Sequence, residues 1–169
     1  YLELRKCLEN LGYVFKTNSD TEVVVNIFQQ YGIEGINKLD GMFAFAILNL
    51  KNNEIIIVRD RFGIKPLYMC RHGELVGFAS EARPLRRLKD QGADVTAMSE
   101  LLLFRFAAGR LSNFLGIDRI LPGSVIRTGL NRQHYSERRY NDILDTLNAP
   151  RTTLDKNILA ENTNAILQK

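Results

Sequence analysis

The apolar residues Leu4, Cys7, Leu8 and Leu11 fall on one face of a helix that opens the chain, and Gly12 is placed to stop it. Tyr13-Val14-Phe15 reads as a short strand. Ser19-Asp20-Thr21-Glu22 has the form of a capping box, with Ser19 as N-cap and Glu22 three residues on. It opens a helix through Val23, Val24, Ile27, Phe28 and Tyr31, stopped by Gly32. In Met42 to Leu48 the large residues Phe43, Phe45 and Ile47 alternate with Met42, Ala44 and Ala46, so a strand there is apolar on both faces and expected to be buried on both sides. After a polar turn at 49–53, Glu54-Ile55-Ile56-Ile57-Val58 is a second strand of this kind.

The charged run Arg59 to Pro66 interrupts the strand pattern, which resumes at Leu67 to Cys70 and, after a turn at 71–73, at Leu75 to Ala79. Ser80 is placed to cap a short helix that tolerates Pro84 in its first turn. Beyond Gly92, Asp94 or Thr96 caps a helix through Met98, Leu101, Leu102 and Phe104. A loop at Gly109, a turn at Pro122-Gly123 and a strand near Val125 follow. A polar stretch then runs to Arg151, and a last helical stripe carries Ile158, Leu159, Ala165 and Ile166. Strands apolar on both faces, flanked by helices, imply sheet packed on sheet with helices outside. The first stripe lacks an N-cap and the last lacks a stop, so both ends read as cuts through a longer chain.

Composition narrows the chemistry. A net charge of +4 over 169 residues is too thinly spread for a nucleic-acid footprint. Arg83, Arg86, Arg87 and Lys89 form one basic cluster and Arg132, Arg138 and Arg139 another; both read as solvated surface. No apolar run is long enough for a membrane span. Two cysteines, Cys7 and Cys70, and two histidines, His72 and His134, make neither a disulfide framework nor a metal cluster. This points to the reducing cytoplasm. Both cysteines lie on apolar stripes and are expected to be buried packing residues.

Four segments carry a resemblance. Ser-Asp-Thr-Glu at 19–22, Leu-Asp-Gly-Met-Phe-Ala-Phe-Ala at 39–46, Arg-Asp-Arg-Phe-Gly-Ile-Lys-Pro-Leu-Tyr at 59–68 and Phe-Ala-Ser-Glu at 78–81 follow one another in order. Together they resemble the class II glutamine amidotransferase domain of glutamine-hydrolysing asparagine synthetases. Tyr-Leu-Glu-Leu-Arg at 1–5 is similar to a helix of that domain, and Leu121-Pro122-Gly123 with Arg139-Tyr140 resembles its exit linker. The likeness covers nearly the whole chain, more loosely after Gly92.

The resemblance implies an α/β (α+β) fold, the four-layer αββα sandwich of the N-terminal nucleophile hydrolases, with its N-terminal part missing. Residues 1–130 would be the later part of the amidotransferase domain. Residues 131–169 would be the linker and first helix of a synthetase-type ATP-binding domain. The implied parent hydrolyses glutamine and passes ammonia to aspartate through an aspartyl-adenylate, using ATP and Mg2+. This fragment would bind neither cofactor, and no residue here is assigned to a metal. Implied partners are glutamine and aspartate, with a homodimer of the parent, and neither nucleic acid nor membrane.

In the family the nucleophile is an N-terminal cysteine whose own α-amine serves as base. That cysteine, the oxyanion hole and the arginine for the substrate carboxylate all lie before residue 1, so no catalytic residue is assigned here. Cys7, being internal, has no free α-amine and cannot replace it. The fragment alone is therefore expected to be inactive, and poorly folded for want of the cover the missing strands provide. One site residue carries over: Asp20, whose carboxylate receives the α-ammonium of glutamine. Read from the residues alone, Asp20 is a first-turn acid favoured by the helix macrodipole. Arg59, Asp60 and Arg61 read as a structural corner, Glu81 as a capping or ion-pair residue, and Phe43 and Phe45 as core. Alternatives are a paralogue amidating another carboxylate, another class II amidotransferase, or a non-catalytic interaction module.

Overall fold

A computed structural model describes residues 1–130 and 134–140. Helix α1 (Leu2–Asn10) and helix α2 (Asp20–Tyr31) come first, then a 3-10 helix at Gly32–Lys38. Strands β1 (Ala44–Asn49), β2 (Glu54–Arg59), β3 (Tyr68–His72) and β4 (Leu75–Ala79) follow. Helices α3 (Ala82–Leu85) and α4 (Val95–Phe104) precede β5 (Ile117–Arg119), β6 (Ser124–Gly129) and β7 (Tyr135–Arg139). The strands form two antiparallel sheets, ordered β1-β2-β6-β7 and β4-β3-β5.

Alternation along the strands sorts the core into layers. Ile56 and Val58 of β2, with Val125 of β6, face Phe28 and Ile36 of the helical layer. Ile57 and Ile126 point the other way, onto Met69 of the second sheet and onto Leu67 and Ile120, which flank its strands β3 and β5. That sheet turns Cys70 and Ile117 outward under Leu85 of α3. The order is therefore helix, sheet, sheet, helix, which is the four-layer αββα arrangement implied by the resemblance. Among the described residues no helix is long and apolar enough to cross a membrane.

Several local expectations change. Tyr13 to Phe15 is not a strand, because among the described residues no neighbouring strand offers it a ladder. Strand β1 is not buried on both sides: Phe43, Phe45 and Ile47 lie half-buried under the helices, while Met42, Ala46 and Leu48 are exposed on the opposite face. On that face only Ala44 of this edge strand packs against the core between the sheets. Cys7 is exposed rather than buried. Helix α1 rests on α2 at the rim of the molecule, so only Leu8 of its stripe is fully covered. Cys70 is buried as expected, and burial pushes its thiol up, away from the reactive thiolate.

Two further strands were hidden by their polarity. Strand β5 is three residues long, and β7 reads Tyr-Ser-Glu-Arg-Arg within the polar stretch. Strand β7 pairs with β6 from Tyr135↔Thr128 to Arg139↔Ser124, so the first sheet continues past residue 130. The stripe expected at 154–169 lies outside the described residues.

The far end of the first sheet is closed by a buried carboxylate. Glu54 accepts hydrogen bonds from Asn49 and Asn52, both at 3.2 Å, and from Arg127 Nε at 2.8 Å. Burial by itself raises the Glu54 carboxyl, but the bonds from Arg127, Asn52 and Asn49 outweigh it and hold the group below its ordinary value of 4.5. A group lowered in this way stabilises the fold above its unfolded value, and the contribution is lost as the pH falls through the folded one. Glu54→Gln is therefore expected to lower stability by about 1–3 kcal/mol at pH 7, a charged hydrogen-bond network being replaced by a neutral one. The gap between variant and parent protein should close as the pH falls below 4.5. Urea midpoints across pH 3 to 7 measure it, and a gap independent of pH would exclude the carboxylate as its source.

Candidate functional site

The site is built around the start of α2. Ser19 is its N-cap, and its hydroxyl accepts from Thr21 N at 3.2 Å. The reciprocal half of the capping box forms differently from the expectation. Glu22 reaches past Ser19 and accepts from Lys16 N and Thr17 N, both at 2.8 Å, and from Thr17 Oγ1 at 2.5 Å. These bonds, Lys16 N first, hold the Glu22 carboxyl below its ordinary range. They tie down the loop that leads into the helix, and with it the position of Asp20.

Asp20 is exposed and lines a cleft of about 340 Å3. Thr21 and Val24 of α2 share its wall. Opposite stand Met42, Phe43, Ala44 and Phe45 at the start of β1, with Lys65 and Pro66 from the corner after β2, and Ser80 after β4. A smaller cavity of about 220 Å3 adjoins it on the side of Tyr1, Leu4 and Asp40, again with Asp20 on its wall. The main cleft thus offers a carboxylate, an ammonium and a hydroxyl around an apolar floor. Such a lining can take a small ligand that carries both charged and apolar parts.

All four segments that carried the resemblance meet at this cleft, although they are spread over 63 positions from Ser19 to Glu81. Sequence reasoning found Asp20 there and missed Lys65 and Ser80. Ser80 reads as a helix cap, but Glu81 occupies the N-cap position of α3 and its side chain makes no cap bond. Lys65 reads as part of a structural corner. Its place in the segment 59–68 is the one sequence signal that marks it.

The rest of the corner is structural, as expected. Asp60 is fully buried and its carboxylate accepts from the backbone N–H groups of Phe62, Ile64 and Lys65 at 3.1, 2.9 and 3.0 Å. The Arg59 guanidinium donates to Lys65 O at 2.8 Å, to Gly63 O at 2.6 Å and to Ile120 O. Gly63 needs its positive φ of 63° here, and a Cβ would stand 2.8 Å from Pro122 Cγ. This corner presents Lys65 and Pro66 to the cleft. Among the described residues, no group of three or more His, Cys, Asp or Glu side chains could hold a metal ion. Cys7 lies on α1 beside Tyr31, outside the residues that line the cleft.

The sequence pattern that defines the glutamine amidotransferase domain matches residues 1–141. Asparagine synthetase [glutamine-hydrolyzing] 1 of Bacillus subtilis (strain 168) is 39% identical over 125 residues, covering 73% of this chain and 20% of that protein. Asparagine synthetase [glutamine-hydrolyzing] 2 of the same organism is 42% identical over 154 residues, covering 87% of this chain and again 20% of the relative. The chain thus spans about a fifth of the length of these two relatives. Among solved structures, the glutamine phosphoribosylpyrophosphate amidotransferase of B. subtilis superposes with a TM-score of 0.58 over 83% of this chain and 26% of its own, at 22% identity. That likeness is one of fold.

Proposed function

Because this chain belongs to the glutamine amidotransferase domain family, we propose that it supplies part of the glutamine site of an asparagine synthetase, with Asp20 receiving the substrate α-ammonium. The convergence of the four motif segments on one cleft beside Asp20 carries this reading. The identities of 39% and 42% to two glutamine-hydrolysing asparagine synthetases support the choice of parent reaction.

On this reading, residues of this chain bind and orient the donor. Asp20 fixes the α-ammonium, and Val24, Phe43 and Phe45 pack on the aliphatic part. A cysteine thiolate from a preceding segment attacks the side-chain carbonyl carbon of glutamine, the C–N bond breaks, and ammonia leaves with a proton returned by the α-amine. Water then cleaves the thioester to glutamate. ATP and Mg2+ belong to a domain that follows. There aspartate is activated as its adenylate and the ammonia displaces AMP. Residues after β7 lead into that domain, and the parent works in the cytoplasm, with a homodimer as its assembly. By itself the chain is catalytically silent.

Incubating the complete parent protein with glutamine, aspartate and Mg-ATP tests the proposal. Glutamate and asparagine are expected in equal amounts. Ammonia release without asparagine would redirect the reading to another carboxylate acceptor. No glutamine turnover would leave a non-catalytic module of the same fold.

A further inference from the structure

A cavity of about 320 Å3 lies against the Arg59 corner and shares no lining residue with the cleft at Asp20. Two guanidiniums line it, Arg59 at the end of β2 and Arg119 at the end of β5. Among the described residues no carboxylate lines it. Asp60 is engaged by three backbone N–H groups, and Glu100 accepts from Ala108 N at 2.7 Å. The two cations therefore repel across the cavity. Burial first, and the charge of Arg119 next, hold Arg59 below its ordinary value, although Asp60 and Tyr68 pull the other way.

Arg119 is short of acceptors. One of its terminal nitrogens meets Leu111 O at 3.4 Å, and its Nε is buried with no hydrogen-bond partner among the described residues. Buried donors are nearly always paired, so an unpaired one marks a place for a further acceptor. Arg59 donates to the carbonyls of Lys65, Gly63 and Ile120, which leaves part of its fork of N–H groups unused. The rest of the wall is apolar. Leu121 and Pro122 line it, and Phe62 and Phe106, 66% and 60% exposed, add two aromatic faces. A guanidinium fork suits a carboxylate or a phosphate, and aromatic faces suit a flat ring. We propose that this cavity binds a small aromatic oxyanion, a carboxylate or a phosphate monoester. Its acid group lies on Arg119 and Arg59, and its ring lies against Phe62 and Phe106. The volume is at the low end for small-molecule sites, which suits one ring and one acid group. The proposal does not rest on what the cleft at Asp20 binds.

Butanedione modification of arginines in the full-length parent, mapped by mass spectrometry, tests it with phenyl phosphate and benzoate as probes. Either probe is expected to slow modification of Arg119 about tenfold and to leave the exposed Arg87 unchanged. Neutral benzyl alcohol should protect neither. Inorganic phosphate, lacking the ring, should need about a tenfold higher concentration than phenyl phosphate. Protection by one of the two oxyanions alone would support the site and fix the acid group it takes. An Arg119 that resists the reagent without a probe, or reacts equally with and without one, would overturn the proposal. So would equal protection by benzyl alcohol or equal potency of inorganic phosphate. As an independent reading, Phe106→Ala should raise the phenyl phosphate concentration needed about fivefold and leave that of inorganic phosphate unchanged. An unaltered phenyl phosphate requirement would count against the ring's placement.

Discussion

Asp60→Ala is expected to cost about 4–6 kcal/mol of stability. The carboxylate is fully buried and accepts from three backbone N–H groups, at Phe62, Ile64 and Lys65. A hydrogen bond to a charged group is worth about 1.5–3 kcal/mol, and a donor left unsatisfied in the interior loses its full hydration. Water entering the vacated volume recovers part of the three losses. What remains is comparable to the whole stability of a typical domain. The damage also spreads, because the loop that Asp60 folds brings Gly63 O and Lys65 O to the Arg59 guanidinium. Asp60→Asn keeps the shape but can present only one acceptor oxygen, so it should fall between the two. Urea or thermal unfolding of the full-length parent measures the series. An alanine variant within about 1 kcal/mol of the original would show that the loop holds its shape without the carboxylate.

Asp20→Asn addresses function with little effect on stability. The N-cap bond belongs to Ser19 and the loop anchor to Glu22, so the helix keeps its start. On the proposed reading, what is lost is the negative partner for the substrate ammonium. Asp20 is exposed in an open cleft, so the change is set by a charged hydrogen bond, about 1.5–3 kcal/mol. That corresponds to roughly a 10- to 100-fold fall in kcat/KM for glutamine. Synthesis driven by free ammonia should be untouched, because ammonia bypasses the cleft. The two assays run side by side on one variant separate the outcomes. Equal losses with glutamine and ammonia would mean damage to the fold, and no loss with glutamine would return Asp20 to a first-turn helix acid.

Elements whose burial matches a simple period were legible in the sequence. Helix α2 begins at the Ser19 cap and ends at Gly32, which adopts a φ of 61°. Strand β4 occupies the residues expected of it. Strands β5 and β7 could not be read, because Ile-Asp-Arg and Tyr-Ser-Glu-Arg-Arg carry no apolar alternation. They are strands because β3 and β6 offer them ladders, and that information lies about 50 and 10 residues away. Burial of Cys7 and of both faces of β1 failed for a related reason. Periodicity says which side of an element is apolar, and the neighbours decide how much of it is covered. At the cleft, Asp20 was legible through a motif, whereas Lys65 and Ser80 become partners only when the corner and the end of β4 fold against α2.

The register of the first sheet has a consequence during synthesis. Strand β2 pairs on one side with its neighbour β1, but on the other with β6, where Glu54 meets Gly129. A ribosome adding about 5–20 residues per second needs roughly 4–15 s to make the intervening stretch. Throughout that interval Ile55-Ile56-Ile57-Val58 is a nascent hairpin arm with an open edge, the composition that seeds cross-β association. The charges that bracket it, Glu54 and Arg59, then act as gatekeepers against neighbouring chains on the same message. Their later burial in the Arg127 network and the Asp60 corner converts a guard needed while the chain is being made into the two fastenings of the finished sheet.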